Sequence, residues 1–130
     1  MLMTRIYLAA NSFIYLFFSA LCLSDPAGTA RFSGLSFLNG SGKAEYLTIY
    51  TGLEAGLGLY YFYATFFTSA RRAALIFSAF LYGGIVLVRL PALILVPAVG
   101  MNTFALALLE LLLATLAAIC LLKKDVPSEV

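Results

Sequence analysis

The sequence contains no histidine and no tryptophan, and it has few charged residues. The lack of histidine excludes histidine metal ligands, histidine general bases and an imidazole switch near neutral pH. Without tryptophan, any aromatic belt at a membrane interface must consist of tyrosine and phenylalanine. Charged residues make up 11% of the chain, whereas a typical soluble domain has about 25%. So few charges cannot cover a water-facing surface, and this indicates a membrane protein.

Charge runs and chemical motifs are also scarce. The formal net charge is only +2, and the basic residues form no run longer than Arg71-Arg72 and Lys123-Lys124. This predicts no nucleic-acid partner, because binding to phosphate backbones depends on many clustered cations. The sequence contains no nucleophile–base pair, no metal-ligand set and no phosphate-binding loop. It therefore predicts no catalytic residue, no metal and no cofactor.

The two cysteines are Cys22 and Cys120. In the four-span topology that the apolar runs predict, they lie near opposite membrane faces, on the order of 20 Å apart, whereas a disulfide needs Cα atoms within roughly 7 Å. The sequence therefore predicts no disulfide within the chain.

Apolar residues dominate the sequence, at 63% of the total, with a mean hydropathy of +1.01. They form four runs, at residues 6–23, 46–67, 73–96 and 103–122. Each run has about 18 to 25 residues, enough to cross a hydrocarbon core of about 30 Å. The first run also resembles a signal peptide, but Asp25-Pro26 follows it without a clear cleavage site, so we favour an uncleaved span. The fold class predicted for residues 1–130 is a single all-α domain, an integral membrane four-helix bundle.

Two stretches leave alternatives open. Arg89 and Pro91 interrupt the third run, so its helix either ends at Arg89 or continues with a kink to about Val96. The connection at residues 24–45 is rich in glycine, which argues against a long helix. Its apolar part either lies on the membrane surface, folds over the mouth of the bundle or remains a solvated loop.

The basic residues predict the orientation, because cytoplasmic loops carry an excess of lysine and arginine. Five lie on the side that holds both chain ends. Two, or three if Arg89 is counted, lie on the opposite side. The sequence therefore predicts that both termini are cytoplasmic and that residues 24–45 form an outer loop. The five residues on the cytoplasmic side are Arg5, Arg71, Arg72, Lys123 and Lys124.

Three charged residues fall within the apolar runs, namely Glu54, Arg89 and Glu110. At 1.5 Å rise per residue, all three lie roughly 10 to 12 Å below the outer boundary if the third helix continues through Pro91. Unpaired charges at that depth are costly, and opposite charges in contact relieve part of the cost. We therefore expect a buried Glu54–Arg89–Glu110 cluster. Its candidate hydrogen-bond partners are Tyr15, Tyr50 and Tyr82.

This cluster has a structural and a functional interpretation. With all groups ionised it carries a net charge of −1, so that one acid would hold a proton or attract a cation. The cluster either fixes the register of the helices as a buried ion pair or forms a site for protons or a ligand.

Glycines surround Glu54 in the second run. Gly58 lies on the face of Glu54, where it can open interior space. Gly52 and Gly56 form a G-x-x-x-G pair about 160° away. Such a pair lets another helix approach closely, and that helix would belong either to an adjacent span or to a second copy in a homodimer.

Residues 50–58, YTGLEAGLG, resemble the signature Tyr-Gly-Gly-x-Glu-x-x-x-Gly of a family of small bacterial four-span proteins, the domain of unknown function four-three-four-five. That family is distantly similar to the DoxX-like membrane proteins. An arginine late in the third span, Arg89, and a glutamate in the fourth, Glu110, extend the resemblance over nearly the whole chain. The resemblance implies an integral protein of the bacterial inner membrane and implies no particular activity.

Three functions are compatible with the sequence. The first is an inner-membrane protein that binds a lipid, a small molecule or a protein partner through its polar cluster. The second is a small proton-coupled transporter acting as a homo-oligomer, because four spans are few for an alternating-access path. The third, with the least support, is an enzyme acting on a lipid or quinone-like molecule with Glu54 or Glu110 as acid/base.

Overall fold

The computed structural model describes residues 2–123, and within that range the chain forms helices and no strands, as expected for an all-α fold. One segment has the wider π-helical winding. In chain order the helices are α1 (Leu2–Ser24), α2 (Pro26–Phe32), α3 (Gly40–Leu47), the π segment (Thr48–Leu53), α4 (Glu54–Phe66), α5 (Thr68–Leu95) and α6 (Met101–Leu122).

Among the described residues, α1, α5 and α6 are each long and apolar enough to cross a membrane. They contain the predicted runs at 6–23, 73–96 and 103–122, except for Val96, which follows the end of α5. The run at 46–67, apart from Phe67, falls in α3, the π segment and α4, which follow one another with no residue between them. The chain is therefore helical over residues 40–66, but the π segment divides this stretch into pieces shorter than a membrane-crossing α-helix.

Capping side chains set the starts of the short helices α2 and α3. Asp25 lies before α2 and accepts a hydrogen bond from the backbone N–H of Gly28 at 2.9 Å. Pro26 follows at the first helical position, where its missing N–H costs nothing. Asn39 caps α3 in the same way, accepting from the Gly42 N–H at 3.0 Å. These caps satisfy backbone donors that have no partner within the helix.

Helix α5 continues through Pro91 and ends at Leu95. Of the two sequence-based alternatives, the continued helix is therefore the one observed. Pro91 lies close to the C-terminal end, where it removes only one backbone hydrogen bond. Because the helix does not end at Arg89, this side chain remains on a regular turn that faces α6.

The long helices form two antiparallel pairs that share one bundle. Helix α1 packs mainly against α4, and α5 packs mainly against α6. Between the pairs, α4 contacts α5 more extensively than α1 contacts α6. The helices therefore follow one another around the bundle in the order α1, α4, α5, α6, and the weakest seam lies between α6 and α1.

The core is concentrated in one half of the bundle, which we call the closed half: residues 4–12, 58–65, 71–82 and 113–120. Leu8, Tyr61 and Leu75 are completely buried there, and Ala117 packs with them. The other half, made of residues 13–22, 50–57, 83–99 and 101–110, contains fewer buried side chains, and we call it the open half. The polar chemistry of the apolar runs lies in the open half and at its boundary with the closed half.

The connection at residues 24–45 folds over the open half. Ala30 of α2 packs with Cys22 and Tyr46 in a second buried cluster, against which Phe37 also lies. The side-chain amide of Asn102, at the start of α6, donates to the carbonyl of Phe32 at 3.2 Å. Of the three sequence-based alternatives for this connection, the structure therefore shows the one in which it covers the mouth of the bundle.

The two cysteines lie in different clusters. Cys22 lies under α2, with its sulfur 3.4 Å from the hydroxyl of Tyr46. Cys120 lies in the core of the closed half. Both are buried, and no disulfide joins them.

Candidate ligand-binding cavity

A cavity of about 570 Å³ lies in the open half, between the α1–α4 pair and the α5–α6 pair. It is bounded by α1, the π segment and α4 on one side and by α5 and α6 on the other. Phe32 and Leu35, from the connection at residues 24–45, form its roof. The three charged residues predicted from their common depth and their three candidate hydrogen-bond partners all line this one cavity. They are Tyr15, Tyr50, Glu54, Tyr82, Arg89 and Glu110.

Arg89 and Glu110 form a two-pronged ion pair across the α5–α6 seam. The guanidinium Nε donates to Glu110 Oε2, and Nη2 donates to Oε1 at 2.8 Å. The side chains are 30% and 14% exposed, respectively. Parallel N–H···O bonds of this kind hold both planar groups in a fixed orientation. The pair therefore neutralises two of the three charges in the cavity wall.

Glu54 is the third charge, and it lies apart from this pair. It is the first residue of α4, directly after the π segment, and its carboxylate makes no ion pair or hydrogen bond with any residue between 2 and 123. The predicted three-charge cluster is therefore one ion pair and one separate carboxylate in a common wall. The reason is geometric, because Arg89 directs both prongs of its fork at Glu110 on the adjacent helix of its own pair.

Tyr15 and Tyr82 form the floor of the cavity, at the boundary with the closed half. The Tyr15 ring stacks on Tyr61 at 5.7 Å and on Tyr82 at 6.5 Å between ring centres. The hydroxyl of Tyr82 donates to the side-chain oxygen of Asn11. The hydrogen bond of Tyr82 is therefore directed into the closed half, away from the two glutamates with which the sequence had grouped it.

Tyr50 lies at the opposite end of the cavity, near its roof. Its ring stacks on Tyr46 at 4.5 Å between centres and meets Phe18 edge-on at 6.5 Å. These contacts join the π segment to α1 beneath the connection at residues 24–45. The aromatic rings of the wall are thereby held by contacts among themselves.

Asn11 is the central polar residue of the closed half, and it was absent from the predicted site. It is completely buried, and its amide nitrogen donates to the carbonyl of Tyr7 at 2.8 Å. The signal for it was present in the sequence as a polar stripe along α1 at helical spacing. All members of that stripe are buried. They are Tyr7, Asn11, Tyr15, Ser19 and Cys22.

The glycines around Glu54 have roles different from the predicted ones. A Cβ added to Gly58 would lie 2.6 Å from Leu16 Cγ and 3.0 Å from the Leu16 backbone nitrogen. Gly58 is therefore a point of close approach between α1 and α4. A Cβ at Gly52 or Gly56 would meet no described atom within 4 Å. The G-x-x-x-G pair thus packs no helix of the described chain, which corrects the adjacent-span alternative and leaves contact with a second copy as a prediction.

The cavity opens sideways through the seam between α1 and α6. Phe13 and Phe17 line it, yet they are 68% and 54% exposed, and their rings stack at 5.6 Å. Leu106 and Leu109 of α6 line the cavity on the other side of this opening. A molecule in the surrounding apolar phase would therefore meet apolar side chains before it met any charge.

A second concavity, of about 850 Å³, lies on the outer face of α5. Its lining is apolar except for Arg89 and Thr103, and includes Phe80, Val88 and Val96. Those three side chains are 79%, 72% and 54% exposed. Such a surface is what a membrane-crossing helix presents to lipid, so this groove by itself indicates no specific site.

No protein-family model, no curated protein and no solved structure matches this chain. The resemblance of residues 50–58, Arg89 and Glu110 to the four-span bacterial family accordingly remains a prediction from those residues.

Proposed function

We propose that this protein is an integral inner-membrane protein with four membrane-crossing segments, and that its cavity binds a lipid-sized amphiphilic molecule. The observation that carries the proposal is the cavity itself. Ligand pockets are typically about 300 to 1,000 Å³, mostly apolar, with a few polar groups that orient the ligand. The cavity of about 570 Å³ has this volume, an apolar opening and one carboxylate without a partner among residues 2–123.

The fourth crossing is supported by the uninterrupted helical backbone over residues 40–66. At 1.5 Å per residue this stretch is roughly 40 Å long, more than the hydrocarbon core of about 30 Å requires. A π-helical turn inside a membrane keeps its backbone groups bonded within the helix, as the bilayer demands. Its polar start, with Lys43 and Glu45, would then lie outside the membrane on the outer side.

The orientation with cytoplasmic chain ends is supported by the distribution of cations. The Lys123 ammonium lies 3.6 Å from the sulfur of Met3, so the start of α1 and the end of α6 are neighbours. Ser19 donates to the Thr51 carbonyl and Ser12 to the Gly58 carbonyl, so α4 runs toward the start of α1, and the α4–α5 turn with Arg71 and Arg72 lies at that same end. Lys124, the fifth predicted cation, lies outside the described residues. Positive residues at one end favour a cytoplasmic location for that end.

The proposal is tested with a photoactivatable neutral amphiphile, a dodecanol bearing a diazirine on its chain, in nanodiscs of phosphatidylcholine. Peptide mapping should place crosslinks on cavity-lining residues. Leu106→Trp places a larger side chain in the cavity, so it should reduce those crosslinks by about tenfold, which corresponds to a loss of about 1.4 kcal/mol in binding free energy. Leu108→Trp is the matched control, because Leu108 is on the same helix and 70% exposed.

The control variant should label as the wild type does. Crosslinks restricted to outward-facing residues such as Phe80, with no response to Leu106→Trp, would show that the cavity does not bind amphiphiles. The proposed function would then be wrong.

A second candidate is a small proton-coupled transporter acting as a homo-oligomer. The Glu54 carboxylate, which has no partner among residues 2–123, favours it, because ionisable groups inside membranes often carry protons. Proteoliposomes loaded with a pH-sensitive dye should acidify under an imposed potential with the wild-type protein and fail to do so with Glu54→Gln. Equal rates for both proteins would remove this candidate.

A further inference from the structure

The charges in the cavity wall leave one negative group in excess. Among the described residues, Glu54, Arg89 and Glu110 are the only charged ones that line the cavity. Arg89 and Glu110 neutralise each other through their two-pronged contact. Glu54 has no cation of this chain within ion-pair distance among residues 2–123. The cavity is thus complementary to a single positive charge.

An anionic headgroup fits this wall poorly. Its only cationic partner among the described lining residues would be Arg89, whose charge Glu110 already neutralises. An anion bound there would add a third negative group to a wall in which Arg89 is the only cation among the described residues, which is costly in an apolar environment. A neutral headgroup can donate a hydrogen bond to the Glu54 carboxylate, but it leaves the negative charge of the wall uncompensated.

A protonated amine supplies the positive charge that complements the Glu54 carboxylate. Its N–H groups can donate charge-assisted hydrogen bonds to the Glu54 carboxylate, and such bonds are about twice as strong as neutral ones. The same wall carries the aromatic rings of Tyr15, Tyr50 and Tyr82, and aromatic faces attract cations. The Arg89–Glu110 pair can remain intact while the amine is bound.

The rest of the cavity suits an alkyl chain. Phe13, Phe17 and Leu109 line the sideways opening between α1 and α6. A chain placed there would extend from the headgroup at Glu54 toward the lipid side. Resting on the proposed amphiphile-binding function, we propose that the ligand is an amphiphile with a basic amine headgroup, that this amine binds Glu54, and that its alkyl chain leaves the cavity past Phe13 and Phe17.

The test uses three diazirine probes with the same twelve-carbon chain, ending in a primary amine, an alcohol or a carboxylic acid. They compete for labelling of wild-type protein in phosphatidylcholine nanodiscs at pH 7. The amine should label the cavity about tenfold more strongly than the alcohol, because only the amine brings a positive charge to the Glu54 carboxylate. The acid should label it more weakly than the alcohol.

Glu54→Gln should reduce labelling by the amine to the level of labelling by the alcohol, and alcohol crosslinks that remain detectable in the cavity of this variant serve as the check on folding. Glu54→Asp should retain part of the preference for the amine. Glu45→Gln is the matched control, because Glu45 is an exposed acid on α3 of the same helical stretch. This control should preserve the full preference.

The outcomes separate the amine assignment from the amphiphile-binding function. Equal labelling of the wild type by amine and alcohol, a preference for the acid, or an amine preference that survives Glu54→Gln would overturn the amine assignment, while amphiphile binding would stand. If no probe labels the cavity, the amphiphile-binding function itself is wrong. Equal labelling or a preference for the acid on the wild type overturns the amine assignment even without a variant.

Discussion

The closed and open halves are built from the same four helical stretches, yet their polar side chains are used differently. In the closed half, hydrogen bonds cross between the two helix pairs. Tyr7 donates to the Leu113 carbonyl at 3.1 Å, and the hydroxyls of Tyr61 and Ser78 lie 2.8 Å apart. In the open half, the strongest polar contact, Arg89 with Glu110, stays within one pair.

This difference indicates which contacts hold the helices of such a bundle together. Apolar surfaces gain little from association in lipid, so helices are held together by close packing and interhelical hydrogen bonds. Where those bonds cross between pairs, the bundle is dense. Where they do not, and only Asn102 reaches the carbonyl of Phe32 at the roof, a cavity remains. Substitutions at four positions or pairs test this contrast, from the largest expected effect to the smallest.

The largest effect is expected for Gly58→Ala in the closed half. The added methyl group would overlap Leu16, including its backbone nitrogen at 3.0 Å, so α1 and α4 must separate. Overpacking of this kind typically costs 1 to 3 kcal/mol, and we expect about 2 kcal/mol in the free energy of unfolding. The measurement is a titration with sodium dodecyl sulfate in mixed micelles, followed by circular dichroism.

Gly56→Ala is the control for this substitution, because a methyl group there meets nothing within 4 Å. It should leave stability unchanged or raise it by up to about 1 kcal/mol through higher helix propensity. Equal losses of stability for the two variants would mean that α1 and α4 do not approach each other closely at Gly58.

Asn11→Leu should follow, with a loss of about 1 to 2 kcal/mol. The substitution removes the acceptor of the Tyr82 hydroxyl and leaves that hydroxyl buried without a partner. Adding Tyr82→Phe removes the orphaned hydroxyl, so the double variant should recover part of the loss in the same titration. A double variant less stable than either single one would argue against the hydrogen bond as the origin of the effect.

The ion pair of the open half should show a coupling of about 1 kcal/mol in a double-mutant cycle of Arg89→Leu and Glu110→Gln. The coupling arises because each single change leaves the other group without its partner. Strictly additive losses would contradict the two-pronged contact.

Glu54→Gln should have the smallest effect, within about 0.5 kcal/mol, because the carboxylate has no partner among residues 2–123 to lose. Its effect should also be additive with that of Arg89→Leu. A coupling above about 1 kcal/mol would restore the three-charge cluster and blur the distinction between the two halves.

Depth and helix face could be predicted from the sequence, and these were enough to group the site residues. Counting 1.5 Å per residue placed Glu54, Arg89 and Glu110 at one level, and all three line one cavity. The apolar runs likewise located α1, α5 and α6. Such features depend on residues near one another in the chain.

Partnerships between helices could not be predicted in this way. Asn11 and Tyr82 are 71 positions apart, and their contact depends on which helices are neighbours. The same holds for Arg89, which had two acids at its depth and pairs with the one on the adjacent helix. The G-x-x-x-G spacing indicated small residues, but only the placement of α1 decides that Gly58 is the covered glycine. The π segment has no sequence signal that we could use.

The placement of the Arg89–Glu110 contact has a mechanical consequence. Both partners belong to the α5–α6 pair, so the contact does not fasten this pair to α1 and α4. Separating the two pairs in the open half, about a pivot in the closed half, would break no ion pair among the described residues. Widening the sideways opening of the cavity would then mainly separate apolar surfaces, and lipid chains can take the place of the lost contacts.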